Sequence, residues 1–177
     1  MKTGKIAKLS ALVLAIVMLL MVGVSASASD SVYAKYTSST VMINGNVVAF
    51  EAYNIGGNNY FKLRDLAMAL NGTEASFSVE WSAADNCIVV ELGSYMCEPN
   101  YAYQPVGGEL AVGDGTDKVA YVSTQSLLAP MDGGFPGFTA YNINGNNYFK
   151  LRDIGDLFGF NVDWDAANNC ILINTTY

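Results

Sequence analysis

The sequence contains no histidine, only three cysteines and few basic residues, and these shortages exclude several classes of function. Without imidazole there is no Ser-His-Asp or Cys-His catalytic centre and no His-ligated zinc or copper site. Nine Lys and Arg stand against sixteen Asp and Glu, which argues against nucleic acid or an anionic membrane surface as a partner. Carboxylate chemistry, an oxygen-ligated calcium site or a role without catalysis are left.

The first 28 residues have the three-part layout of a secretory signal peptide. Three lysines precede an apolar run over 9–24, and Ala-Ser-Ala at 26–28 is a small-x-small cleavage site. An apolar helix of this length spans ~24 Å, which is short of the ~30 Å hydrocarbon core. We therefore expect cleavage after residue 28, a secreted protein and no permanent membrane span. The remaining chain would carry a formal charge of 6 − 16 = −10.

A long internal repeat covers most of the remaining chain. AYNIGGNNYFKLRDL at 52–66 returns as AYNINGNNYFKLRDI at 140–154, with thirteen of fifteen positions identical. FSVEWSAADNCIVV at 77–90 returns as FNVDWDAANNCILI at 160–173, after the second copy has lost five residues. We predict two modules, at 31–95 and 119–177, joined by a linker rich in Pro and Gly at 96–118.

Each repeat predicts hairpins, one short helix and two closing strands. Asn-Gly or Gly-Gly between apolar runs is typical of tight hairpin turns, because both turn residues need φ > 0. The helices are expected to begin near Arg64 and Arg152 and to bury one apolar stripe each, namely Leu63, Leu66 and Leu70, and Leu151, Ile154 and Phe158. Alternation in FSVEW and FNVDW places Trp81 and Trp164 in the core. The predicted fold class is α+β: two tandem small modules, each a mostly antiparallel β-sheet curled around one short α-helix in the order β-β-β-α-β-β.

The run YFKLRDIGDLFGFNVDWDAANNCILI, with its counterpart in the first half, resembles the bacterial copper amine oxidase N-terminal-like domain, also called the stalk domain. Units of that family run L-R-[DE]-x-[AG], a short helix ending in Gly, an apolar-x-V-x-W-[DE] strand and a closing apolar strand. The resemblance implies a small antiparallel sheet around a helix, used as an accessory module in secreted or cell-envelope proteins. It implies no oxidase activity, since that catalysis belongs to a separate domain with histidine copper ligands.

Two sets of side chains are candidates for ligand binding. Tyr53, Tyr60, Tyr141 and Tyr148 lie among asparagines, a mixture suited to a glycan surface, although tyrosines can instead pack across strands while asparagines form turns. Arg64 and Arg152 can clamp a carboxylate or sugar hydroxyls. Their alternative role is to pin the preceding hairpin, beside acids that offset the positive end of the helix.

Cysteines and acids offer no clear metal or redox site. Cys87 and Cys170 occupy matching repeat positions and are expected to be buried free thiols, with Cys97 more exposed and a Cys87–Cys97 bridge as the alternative. The calcium signal in Asp-Gly-Thr-Asp at 114–117 is weak, because the EF-hand ladder of ligands is missing. We predict no metal, no cofactor and no catalytic residue.

These features predict a secreted, monomeric, non-catalytic protein of the cell envelope that binds or displays. Cell-wall polysaccharide or an envelope protein is the expected partner, and two linked modules would add avidity. A carboxylate-based glycan hydrolase is one alternative and needs two acids about 5–9.5 Å apart in a cleft. A purely structural spacer is the other.

Overall fold

The computed structural model describes residues 30–93, 103–129, 134 and 136–176. The predicted signal peptide and Cys97 lie outside these residues. In the first repeat the elements are β1 (Ser31–Tyr36), β2 (Thr40–Ile43), β3 (Asn46–Val48), β4 (Ala52–Ile55), β5 (Asn58–Lys62), α1 (Leu63–Leu70), β6 (Phe77–Ser82) and β7 (Cys87–Leu92). In the second they are β8 (Lys118–Val122), β9 (Ser126–Leu128), β10 (Ala140–Ile143), β11 (Asn146–Lys150), α2 (Leu151–Phe158), β12 (Asn161–Asp165) and β13 (Cys170–Asn174).

The predicted hairpin turns are confirmed. β4 pairs with β5 around Gly56 and Gly57, whose φ values are 58° and 83°. The matching turn between β10 and β11 uses Asn144 and Gly145, with φ values of 50° and 82°. Two successive left-handed residues give the turn type whose twist suits a two-residue hairpin, which explains the Gly and Asn at these positions.

A closed six-stranded barrel takes three strands from each repeat, in the order β1-β4-β5-β11-β10-β8. Equivalent strands meet each other at two of its seams. Phe61 of β5 lies opposite Phe149 of β11, and Tyr33 of β1 lies opposite Val119 of β8. The registers at both seams relate the two repeats by an approximate twofold axis.

Two smaller sheets flank the barrel, and each also combines both repeats. One has the order β12-β13-β2-β3, with β13 parallel to β2, and the other has the order β6-β7-β9, with β7 parallel to β9. The described chain is thus mostly β with two short helices, which confirms the α+β class. The expected pair of separate β-β-β-α-β-β modules is not confirmed, because every sheet contains strands of both repeats and four or five strands precede each helix. The boundaries 31–95, 96–118 and 119–177 stay predictions.

The apolar pattern of the central hairpin explains why the repeats combine. In β4 and β5 one face carries Tyr53 and Tyr60, which belong to the barrel interior, and the other carries Ala52 and Phe61, which belong to the core beneath the helices. A hairpin that is apolar on both faces must be covered on both. Pairing with the equivalent hairpin closes a barrel over the tyrosine face, while helices and small sheets cover the other.

Both helices bury the predicted stripes. Leu63, Leu66 and Leu70 of α1 and Leu151, Ile154 and Phe158 of α2 are each at most 4% exposed, which confirms the prediction. The α2 helix ends at Gly159 in the left-handed conformation, with φ of 73°, as expected for its C-terminal glycine. The Phe77 and Phe158 rings stack with their centroids 4.0 Å apart, so one core contains both repeats.

The prediction that both tryptophans are buried is wrong. Trp81 is 44% exposed and Trp164 is 47% exposed, whereas Phe77 and Phe160 on the same strand faces are buried. Alternation does point each Trp to the core side of its strand. Each Trp, however, lies near the far end of its strand, where a cleft replaces the core.

Candidate functional site

The four candidate tyrosines belong to the barrel interior. Tyr53, Tyr60 and Tyr148 are at most 7% exposed, and Tyr141 is half-buried. Their rings meet edge to face, with centroids 5.4 Å apart for Tyr53 and Tyr148 and 5.1 Å apart for Tyr60 and Tyr141. The rings of Tyr53, Tyr60 and Tyr148 are too buried to form the glycan surface expected from the sequence, and the ring contacts favour the packing interpretation.

The two candidate arginines line two clefts that correspond to each other across the approximate twofold axis. Cleft 1 lies between the start of α1, the Trp81 ring and the Gly-Asn-Asn turn at 145–147 of the second repeat. Cleft 2 lies between the start of α2, the Trp164 ring and the equivalent Gly-Asn-Asn turn at 57–59 of the first repeat. Their volumes are about 500 and 590 Å³, within the range of small-ligand sites.

Neither cleft would exist in a single isolated repeat. Because β5 and β11 are neighbours in the barrel, the turn of each central hairpin lies beside the helix start of the other repeat. Arg64 and Trp81 therefore face asparagines of the second repeat, and Arg152 and Trp164 face asparagines of the first. The asparagines that the sequence placed beside the tyrosines reach a ligand-accessible surface, while the tyrosines do not.

Cleft 1 contains a buried carboxylate. Asp65 is 2% exposed, and its Oδ1 accepts a hydrogen bond of 3.1 Å from the Leu110 backbone N–H. Its Oδ2 has no hydrogen-bond partner within the described part of the chain, and the Lys62 Nζ lies 4.0 Å away. Burial raises the pKa of Asp65, against the hydrogen bond from Leu110 and the charge of Lys62.

Lys62 is paired with Glu51, which lies directly before β4 at one end of the barrel. Its ammonium forms a short ion pair with Glu51, which also accepts a 2.7 Å hydrogen bond from the Tyr53 hydroxyl. Burial alone would raise the pKa of Glu51, but the hydrogen bonds from Lys62 and Tyr53 outweigh it and leave this pKa lowered. The lysine of cleft 1 is therefore committed to an internal contact.

One wall of cleft 1 comes from the segment predicted to be a linker. The Glu109 carboxylate accepts hydrogen bonds from the Tyr103 hydroxyl at 2.6 Å, the Val106 N–H at 2.8 Å and the Gly107 N–H at 2.9 Å. These bonds, first that from Tyr103, lower the pKa of Glu109 to about 2. Burial and Glu109 raise the pKa of Tyr103 to about 12. Tyr103 is buried in the core and its carbonyl accepts a 3.3 Å hydrogen bond from the Asn71 side chain, so the described part of this segment packs against the fold.

Cleft 2 has a different wall and a different charge. Lys35 and the hydroxyl residues at 37–39 take the place of the Glu109 segment. Arg152 is exposed, whereas Lys150 pairs with Asp153 at 2.8 Å. Asp163 is the acid in the lining of this cleft.

The remaining candidates for metal or redox chemistry have structural roles. Asp114 accepts hydrogen bonds from Lys118 at 2.6 Å and from the Thr116 hydroxyl at 2.7 Å, which occupy the carboxylate of the weak calcium motif. Over the described ranges no group of three or more Cys, Asp or Glu side chains is arranged to hold a metal ion. Cys87 and Cys170 are buried free thiols, as predicted.

No helix among residues 30–93, 103–129 and 136–176 is long and apolar enough to cross a membrane.

No family model, no curated protein and no solved structure matches this chain. The resemblance to the stalk domain therefore stays a prediction. The alternation of apolar residues predicted core positions for the two tryptophans that instead line the clefts. The sequence signal for their exposure was their place at the strand end, directly before the polar loops SAADN and DAANN.

Proposed function

We propose that this chain is a secreted, non-catalytic protein of the cell envelope that binds a cell-wall glycan through its two clefts. The observation that carries the proposal is the pair of matching clefts, each with a half-exposed Trp, an Arg and asparagine amides. An exposed Trp ring offers a flat apolar face for the C–H face of a sugar ring. Arginine and amide groups supply the donors and acceptors that sugar hydroxyls need.

The duplication of the cleft supports a polymer as the ligand. Two weak sites on one compact chain can engage two segments of the same repetitive strand, which raises the overall affinity without a strong single site. A small soluble sugar would gain nothing from the second cleft. An extended wall polysaccharide is therefore the ligand class that fits the arrangement best.

Co-sedimentation of residues 29–177 with insoluble cell-wall material tests the proposal. The variant Trp81→Ala/Trp164→Ala should lose binding, because both stacking faces are gone. Tyr121→Ala is the matched control. Tyr121 is 46% exposed, which is similar to the exposure of the two tryptophans, but it lies in neither cleft. Wall binding that survives the double substitution would contradict the cleft assignment, and no binding by the unmodified chain would favour a spacer or a protein partner.

A carboxylate-based glycan hydrolase is the second candidate, and one observation favours it. Cleft 1 contains Asp65, whose pKa is raised by burial, and Glu109, whose pKa is lowered to about 2 by the Tyr103 hydrogen bond. Acids whose pKa values are pushed apart are typical of acid–base pairs. Both oxygens of Glu109, however, already accept bonds from its own segment, so we favour binding over hydrolysis.

The release of reducing ends from wall glycan separates the two candidates. A hydrolase would release them at a rate that Asp65→Asn abolishes. A binding protein would release none, while its co-sedimentation would survive that substitution.

A further inference from the structure

We infer that cleft 2 is selective for an anionic group of the glycan, a carboxylate or a phosphate, and that cleft 1 is not. The inference rests on the proposed function, because it names the chemistry of the ligand at one of the two clefts. It comes from differences between the clefts that the repeat itself does not predict.

The first difference is the balance of charge. The chain has six Lys and Arg after residue 28, and three of them, Lys35, Lys150 and Arg152, line cleft 2 beside a single acid, Asp163. Cleft 1 reverses the balance, with Lys62 and Arg64 beside Asp65, Glu80 and Glu109. In a chain with so many more acids than bases, this makes cleft 2 a local concentration of positive charge.

The second difference is how many of those cations are free to meet a ligand. Lys150 is paired with Asp153, as Lys62 is with Glu51. Lys35 and Arg152 are both exposed, and no carboxylate of the described residues lies within 4.0 Å of either. The charge of Lys35 acts on Asp117 only from beyond that distance. The planar guanidinium of Arg152 can hold a carboxylate or phosphate through two parallel hydrogen bonds.

The third difference is the wall opposite the helix. In cleft 2 this wall has the hydroxyls of Ser38 and Ser39, which can donate to anionic oxygens, beside Thr37, whose own hydroxyl donates to Ser39 at 3.1 Å. In cleft 1 the corresponding wall includes the Glu109 carboxylate, which would repel an anion. The Trp164 ring at the edge of cleft 2 then leaves room for a sugar ring that carries the charged group.

The two tryptophans make the clefts separately measurable, because the chain contains two in all, one per cleft. Trp81→Phe leaves Trp164 as a fluorescent reporter for cleft 2, and Trp164→Phe leaves Trp81 for cleft 1. Each single-tryptophan protein is titrated with galactotriose, with trigalacturonate and with a phosphorylated trisaccharide. We expect the Trp164 signal to respond to at least one charged trisaccharide about tenfold more tightly than to galactotriose, with a preference that weakens as salt rises.

The charged trisaccharide that binds more tightly identifies the carboxylate or the phosphate as the preferred group. Arg152→Gln in the Trp81→Phe background should remove the preference. Arg64→Gln in the same background is the matched control, since it removes the same charge at the equivalent position of the other cleft and should leave the preference intact. Circular dichroism confirms that the variants are folded.

Two results would overturn the inference while leaving the proposed function in place. One is equal binding of neutral and charged trisaccharides at Trp164, and the other is the same preference at Trp81. If neither tryptophan responds to any of the three trisaccharides and the chain does not sediment with wall material, the inference and the proposed function both fail.

Discussion

The burial of the aromatic residues is the opposite of what the sequence around them suggests. The tyrosines lie among polar asparagines and yet fill the barrel, while the tryptophans continue the apolar alternation of their strands and yet line open clefts. The asparagines are needed by the turns: Asn54 and Asn142 each accept a 3.2 Å hydrogen bond from the glycine N–H of their hairpin turn. Their polarity therefore says little about the exposure of the tyrosines beside them.

Removing an exposed tryptophan should cost much less stability than removing a core aromatic. We expect Trp81→Ala to lower the free energy of unfolding by about 1 kcal/mol, because the ring is already half in water. Phe61→Ala should cost about 3–5 kcal/mol, because Phe61 is fully buried opposite Phe149. Urea unfolding measures both, and similar losses for the two variants would contradict the exposed position of Trp81.

The buried Asp65 should make the stability fall as pH rises. Since burial raises its folded-state pKa above the unfolded value, the folded state holds the proton between these two pKa values while the unfolded state has lost it. Asp65→Asn removes this penalty and keeps an oxygen for the Leu110 N–H. We expect the variant to gain stability relative to the unmodified protein as pH rises above about 4, the usual pKa of an Asp.

Urea unfolding at pH 4, 5.5 and 7 measures that difference. Asp153→Asn is the matched control at the equivalent repeat position, where the carboxylate is partly exposed and paired with Lys150. A stability difference between Asp65→Asn and the unmodified protein that does not change with pH would refute the account.

The residue at one equivalent position differs between the two helices because the connection from helix to strand is shorter in the second repeat. Position 67 of α1 is a buried Ala, and its equivalent in α2 is Gly155. The second repeat has lost five residues between helix and strand, so its chain turns back at once. A Cβ on Gly155 would lie 2.8 Å from the Phe160 carbonyl oxygen and 3.2 Å from Val162, which leaves no space for Ala.

Gly155→Ala should therefore destabilise the protein although alanine is the better helix former. Overpacking costs about 1–3 kcal/mol, and the gain in helix propensity of about 1 kcal/mol offsets part of it. We expect a net loss of about 1–2 kcal/mol in thermal or urea unfolding. The exposed neighbour gives the control Asp156→Ala, which should change stability by no more than about 0.5 kcal/mol. A more stable Gly155→Ala variant would show that α2 can shift away from Phe160.

The shared sheets tie the two repeats together across the whole molecule. Every sheet of the described chain contains strands of both repeats, and one core cluster includes residues of both helices. Neither repeat keeps its own complete sheet if the other unfolds. We therefore expect one cooperative unfolding transition.

A destabilising change in one repeat should lower the unfolding midpoint that the tryptophan of the other repeat reports. Ile154→Ala in α2 removes a fully buried side chain and should cost about 2–5 kcal/mol. In the Trp164→Phe background, where Trp81 is the reporter, the urea midpoint should fall by the same amount by fluorescence as by far-UV circular dichroism. A Trp81 transition that does not move would indicate two independently unfolding modules.

The turns and helices follow from local chemistry and were predictable from the sequence alone. Asn-Gly and Gly-Gly pairs specified the turns, helical periodicity specified the buried stripes, and the repeat made each element occur twice. The pairing of the strands was not predictable in this way, because a hairpin that is apolar on both faces does not specify whether its partner comes from its own repeat or from the other. That choice closed the barrel over the tyrosines and left the tryptophans at its edge. It also brought each arginine beside the asparagines of the opposite repeat, a contact between distant parts of the chain that no local pattern encodes.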